Sequence, residues 1–139
     1  AMALELAQAQ RKEFAKQTSA LRDRLSEKLC TALSGVHLNG HPVQRLPHNL
    51  HLSFEGVEGE SIVDALDEVG IECSAGAACT SATWEPSHVL LAMGVPLELA
   101  IGSVRMTLWP DLNNEDVDYV VEQLPVVVTR LRTNGMPAL

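Results

Sequence analysis

Two stretches of alternation constrain this chain of 139 residues most. Asn49-Leu50-His51-Leu52-Ser53-Phe54 alternates polar and apolar residues. Between Gly102 and Trp109, Val104, Met106 and Leu108 alternate with Ser103, Arg105 and Thr107. A period of two sends successive side chains to opposite faces, so each stretch predicts a strand with one face to bury and one polar face. Short strands of this kind imply a largely antiparallel sheet with helices packed on one face, an α+β fold.

Helices are legible on either side of these strands. From Leu4 to Leu33 apolar residues recur at Leu4, Ala7, Phe14, Leu21, Leu25, Leu29 and Leu33, the stripe of a helix, and Ser34-Gly35 supplies the stop. A helix of about 30 residues is about 45 Å long, and its first half has few large apolar residues, so it is expected to reach past a small domain. Glu60 to Val69 predicts an amphipathic helix with Ile62, Val63, Leu66 and Val69 on one face, capped by Gly70. Glu85-Pro86-Ser87-His88 opens another, with Val89, Leu90, Leu91 and Met93 inward, and Pro96–Ala100 adds one more turn. The last runs from Asn113 to about Arg132, with Val117, Val120, Val121, Leu124, Val127, Val128 and Leu131 inward. Pro125 inside it predicts a kink or a break. Val36–Asn39 and Ile71-Glu72-Cys73 predict two further short strands. The expectation is one domain over 1–139: a connector helix over 4–34, an α+β unit over 35–132 and a frayed tail over 133–139. Ala1-Met2-Ala3 has the look of an artificial or internal start, outside the expected fold.

Composition excludes several partners. Net charge is −8, with no cluster of Lys and Arg, which argues against nucleic acid and against an anionic membrane surface. No stretch has the length and apolarity of a membrane span, and no signal peptide opens the chain. Three cysteines, Cys30, Cys73 and Cys79, without a Cys-x-x-Cys pair, favour a reducing, cytoplasmic setting over a disulfide framework.

Ser74 to Thr83 contains only Ser, Ala, Gly, Thr and Cys79. Such a run has almost no apolar area to anchor it in a core and is expected to be a mobile surface loop. Cys79 near its middle is either incidental or a nucleophile free to approach something large. Cys73 and Cys30 read as small packing residues. Arg105 is either solvated on a polar sheet face or, beside a cleft, a bidentate carboxylate clamp. His37, His41, His48 and His51 crowd within fifteen residues, but their spacings match no common zinc pattern, so no metal is expected. His88 could assist a thiol, or merely sit at a helix start.

The runs Ser74-Ala75-Gly76-Ala77-Ala78-Cys79-Thr80-Ser81, Glu85-Pro86-Ser87-His88-Val89-Leu90 and Ser103-Val104-Arg105-Met106-Thr107-Leu108 resemble the cysteine desulfurases of the class-V aminotransferase family, pyridoxal-phosphate enzymes. The match is to the group I type, with a long cysteine loop. Leu46–Phe54 and Glu58-Gly59-Glu60-Ser61 also look like that family, and the resemblance runs from about Leu4 to Arg132. It implies that Cys79 takes sulfur from substrate L-cysteine as a persulfide, that L-alanine leaves, and that Arg105 grips the substrate carboxylate. It implies a sulfur-acceptor or scaffold partner, in iron–sulfur cluster or thio-cofactor synthesis. The family's cofactor lysine has no counterpart: Lys12, Lys16 and Lys28 all lie in the first helix. The resemblance therefore implies the C-terminal small domain, with the pyridoxal-phosphate domain in the same or a separate chain. No cofactor is expected on this chain alone, which is then inactive. The rival is a stand-alone persulfide carrier or interaction module. Ala75 and Ala77 stand where the family often has serine, and Trp109-Pro110 where it often has glycine and a basic residue.

Overall fold

Pairing of the two alternating segments organises the fold. The computed structural model describes residues 2–76 and 86–134. Its elements are α1 (Met2–Ala32), β1 (Val36–Leu38), β2 (Asn49–Phe54), α2 (Gly59–Asp67), β3 (Ser74–Ala75), α3 (His88–Ala92), α4 (Leu97–Ile101), β4 (Ser103–Thr107) and α5 (Asn114–Asn134). The sheet has the order β1-β2-β4-β3, with antiparallel neighbours. Leu50 faces Met106 and Leu52 faces Val104 across β2 and β4. With Phe54 and Leu108 these residues form one buried apolar face. The fold is the α+β arrangement expected from the alternation.

Three helices cover that face. Leu25 and Leu29 of α1, Ile62 and Leu66 of α2, and Leu124, Val127 and Val128 of α5 join Leu50, Leu52, Phe54 and Val104 in one core cluster. Each such side chain, fully buried, contributes about 1.5–3 kcal/mol of transfer free energy. Polar ties fix the angles between elements. Arg22, buried in α1, donates to the carbonyls of Leu46 and Pro47 and so pins the turn before β2 to the helix. Asp118 of α5 accepts from Lys28 and Arg24 of α1, and these bonds hold its carboxyl below the usual range. Residues 2–13 of α1 are exposed, as the sparse apolar pattern there predicts.

Four local expectations change. Ile71–Cys73 is not a strand. Gly70 takes φ 78°, its amide bonds the Asp67 carbonyl, and the Ile71 amide reaches back to Leu66. Ile71 is buried as the apolar residue that seals this helix C-terminus, and pairing begins only at Ser74. In α3 only Leu90 is buried. Val89, Leu91 and Met93 point outward, and Pro86 precedes the helix, whose N-cap is Ser87. A five-residue helix buries a single turn, so an apolar stripe longer than that turn ends up exposed. Pro125 does not break α5, which continues from Asn114 to Asn134. Proline removes one amide donor, and Leu124, Val127 and Val128 pack beside the gap. Thr133 and Asn134 complete α5 rather than fray, and 135–139 lie outside the described residues.

The start of β4 needs glycine. A Cβ at Gly102 would collide with the carbonyl oxygens of Phe54 and Val57, and one at Gly59 with that of Ser103. These are backbone atoms inside a hydrogen-bonded crossing, where the Phe54 amide bonds the Gly102 carbonyl. Gly102→Ala is therefore expected to destabilise the chain by about 1–3 kcal/mol, as overpacking of a tight interior does. Urea unfolding checks this. The midpoint should fall at constant m-value, and an unchanged midpoint would contradict the packing described.

Candidate functional site

The polar face of the sheet carries the site. In β4, Arg105 alternates with buried Val104 and Met106 and so turns away from the core. Its partner across β2 is His51, and its partner across β3 is Ser74. Directly opposed residues of antiparallel strands project to the same side, with Cβ atoms about 4.5–5.5 Å apart. His51, Arg105 and Ser74 thus form a row across three strands, each half-buried. Ser103 and Ser53 continue that face and are fully buried. Ser103 bonds the Ala100 carbonyl, and Ser53 accepts from Asn39. Their hydrogen bonds are satisfied, whereas in the row His51 Nε2 has no partner among the described residues.

Arg105 takes part in none of the ion pairs among the described residues. Its strand neighbours bring no carboxylate: one is a serine and the other a histidine. The His51 ring is pushed down to about 4, first by burial, then by Arg105 and Arg45. It is neutral at physiological pH. Its Nε2 is buried without a hydrogen-bond partner among the described residues, as are His48 Nδ1, Asn49 Oδ1, Arg45 Nη1 and, away on α1, Arg24 Nε. Unsatisfied buried polar atoms are uncommon in folded proteins and mark places that need explanation. The sequence marks Asn49–Phe54 as a strand but does not single out His51 as a site residue. The signal that could have found it is phase: His51 occupies the polar side of β2, the side that Arg105 occupies in β4.

His88 is exposed at the start of α3, and the other three histidines have local contacts. His37 pairs with Glu55 at 2.7 Å. His41 Nδ1 accepts from the amides of Val43 and Gln44. His48 meets Phe14 edge-on at 5.8 Å, and Phe14 meets Trp109 in turn. Among the described residues no group of three or more His, Cys, Asp or Glu could hold a metal ion. The lysines are all on α1: Lys12 and Lys16 are exposed, and Lys28 is bound to Asp118.

Cys79 lies outside the described residues, as does the rest of 77–85. Its approach is described: β3, at Ser74 and Ala75, pairs with Arg105 and Val104. Cys79 is five peptide steps on from Ser74, and chain geometry alone holds the two Cα atoms within about 18 Å. The other two cysteines differ from one another. Cys73 packs partly buried against the core, and burial, with Asp67 adding, pushes its thiol up to about 11. It is a thiol at neutral pH and a poor nucleophile. Cys30 is exposed on α1 rather than packed, because its position falls outside the Leu25–Leu29 stripe.

The lowered value of His51 has a measurable consequence. Its folded pKa, about 4, lies below its ordinary 6.5. Above pH 6.5 both folded and unfolded states are neutral there, and the group contributes no pH dependence. As pH falls from 6.5 towards 4 the unfolded chain takes up a proton that the native site refuses, so stability falls across that window. NMR titration of the His51 ring should give a midpoint near 4, and a midpoint near 6.5 would contradict the site described.

Comparison with known proteins follows the same lines. The family described as "Aminotransferase class-V" matches residues 1–120. The cysteine desulfurase IscS of Methanosarcina thermophila is 48% identical over 130 residues, covering 94% of this chain and 32% of that protein. The cysteine desulfurase IscS of Dictyoglomus turgidum is 44% identical over 131 residues, 94% of this chain and 33% of its own length. A solved NifS-like protein superposes with a TM-score of 0.80 at 29% identity, over 94% of this chain and 32% of that one. The chain thus spans about a third of the length of these relatives. With the match over 1–120 taking in most of its length, the chain belongs to the class-V aminotransferase family.

Proposed function

We propose that this chain is the C-terminal small domain of a group I cysteine desulfurase, with residues 4–34 as the connector helix, 35–132 as the α+β unit and 133–139 as a tail. The observation that carries the reading is Arg105, a cation without a counter-charge among the described residues, beside the strand from which the Cys79 run departs. An unpaired guanidinium on a half-buried face is a receptor for a carboxylate, which it can bind through two parallel hydrogen bonds. Relatives bearing the cysteine desulfurase name supply the substrate class, L-cysteine.

In this reading Arg105 binds the substrate carboxylate and orients the side-chain sulfur towards Cys79. The Cys79 thiolate attacks that sulfur. A sulfur–sulfur bond forms, the carbon–sulfur bond breaks, and its electron pair stays with the carbon. The carbon takes up a proton and leaves as L-alanine, and Cys79 keeps the sulfur as a persulfide. A sulfur-acceptor or scaffold protein then takes it, for iron–sulfur clusters or thio-cofactors, in the cytoplasm. Among the described residues no helix is long and apolar enough to cross a membrane.

Pyridoxal phosphate, the cofactor of this family, does not fit the residues present. A lysine must bind it covalently, yet two of the three lysines are exposed on α1 and the third is tied to Asp118. The cofactor belongs with a large domain, joined to this chain or separate from it, and the isolated chain is inactive. The same observation favours a second reading, in which the chain alone accepts and passes on persulfide sulfur.

Two measurements separate these readings. Mixed alone with pyridoxal phosphate, the chain should retain none after gel filtration; stoichiometric retention would overturn the assignment of the cofactor to another domain. Supplied with a large domain, it should release alanine from L-cysteine. Cys79→Ser should lower that rate on the order of 10³-fold or more. Arg105→Gln, losing a charge-assisted pair, should raise KM about 10- to 100-fold. Undiminished alanine release in Cys79→Ser would remove Cys79 from the reaction, and no release from the intact pair would leave the carrier reading.

A further inference from the structure

We propose that His51 is a positioning residue for Arg105: opposed to it in the β2–β4 pairing, it fills the space beside the guanidinium with an imidazole rather than a carboxylate, and so keeps the arginine's charge for the anion. The proposal rests on the reading of Arg105 as the carboxylate clamp.

Three observations carry it. The register places the two side chains directly opposite on the same face. That is the position from which a cross-strand acid would neutralise an arginine most effectively, since opposite charges facing one another are a favoured cross-strand pair. Position 51 holds a histidine, and its Nε2 is buried with no hydrogen-bond partner among the described residues. A residue kept only for stability would be expected to satisfy that nitrogen or to be apolar. The third is the opposite flank. Ser74 faces Arg105 from β3 and is uncharged too, so neither strand offers the guanidinium a counter-ion.

The charged groups acting on the ring agree with this. Arg105 and Arg45 are both cations and both disfavour its protonation. His51 therefore adds no second positive charge that would hold the ligand too long, and no negative charge that would compete with it. The ring is flat and rigid, with only two rotatable bonds. It can steady the guanidinium plane from the side while leaving the edge that carries the donors open. A positioning residue of this kind changes how well the substrate's carboxylate is bound and leaves the sulfur chemistry at Cys79 untouched.

The test uses the chain supplied with its large domain, measuring kcat and KM for L-cysteine in His51→Asp, His51→Ala and His51→Asn. His51→Asp sets a carboxylate opposite Arg105 at the distance of a cross-strand pair, and KM should rise about tenfold or more while kcat stays within about threefold. His51→Ala removes the lateral support and should raise KM less. His51→Asn, short, polar and uncharged, should restore KM to within about threefold of the wild type. Equal KM values in His51→Asp and wild type would overturn the proposal, and so would an equal rise in His51→Asn and His51→Asp, because shape alone would then be at stake.

A spectroscopic readout guards against misfolding. In the 139-residue chain the side-chain Nε–Hε resonance of Arg105 should shift in His51→Asp and stay near its wild-type position in His51→Asn. No shift in His51→Asp would overturn the juxtaposition. Should His51→Asp not fold, the His51→Ala and His51→Asn pair decides alone: a raised KM restored by Asn supports the proposal, and two wild-type values overturn it. Failure of the underlying reading looks different. Arg105→Gln would then leave KM unchanged in the wild-type background, whatever happens at position 51.

Discussion

The register between β2 and β4 is the constraint on which the other features depend. Because the side-chain period of a strand is two, the alignment of Leu52 with Val104 also fixes that of His51 with Arg105. A slip of one residue would bury the polar set against Leu29, Leu66 and Val128 and expose the apolar set. The hydrophobic core therefore does more than stabilise the sheet. By demanding one face, it holds a histidine and an arginine opposite one another on the other. Gly102 and Gly59 let the backbones approach closely enough for the crossing to close at the start of β4.

That second face is costly to maintain. A cation at a half-buried sheet position with no counter-ion among the described residues gains no Coulomb attraction from them to offset its lost hydration. Buried polar atoms at Arg45, His48, Asn49 and His51 also lack partners among the described residues. Elsewhere the same chain pairs its charges well: Asp118 holds both Arg24 and Lys28, and Arg132 donates to the Glu55 and Ser34 carbonyls. Arg24 Nε on α1 lacks a partner as well, but the other four such atoms all fall between Arg45 and His51, the segment that leads into β2. Clustered unsatisfied polar atoms are a feature of binding faces, and this cluster is one ground for proposing Arg105 as a carboxylate receptor.

Much of the fold was legible in the sequence because its elements are governed by period. β2 was read to the residue, and β4 and the apolar face of α5 follow from Val104, Met106, Leu124 and Val128. Local patterns misled where burial has another cause. Ile71 is apolar because it seals the end of α2, and Val89, Leu91 and Met93 are apolar without being buried. The buried role of Arg22 was invisible, since only tertiary structure brings the Leu46 and Pro47 carbonyls to it. At the site, Cys79 and Arg105 stand out by residue type and context. His51 does not, because its importance lies in a partner more than fifty residues away. Sequence separation hides a cross-strand pair until the register is known.

The central claim is that Cys79 is the sulfur carrier of this chain and Arg105 the group that brings substrate to it. It is tested most directly by supplying the chain with its large domain and L-cysteine, then locating bound sulfur by peptide mass spectrometry. The account predicts one additional sulfur atom on the peptide containing Cys79 and none on those containing Cys30 or Cys73, with loading sharply reduced in Arg105→Gln at low substrate. Sulfur on Cys73 or Cys30 with Cys79 unmodified, or loading indifferent to Arg105, would contradict it.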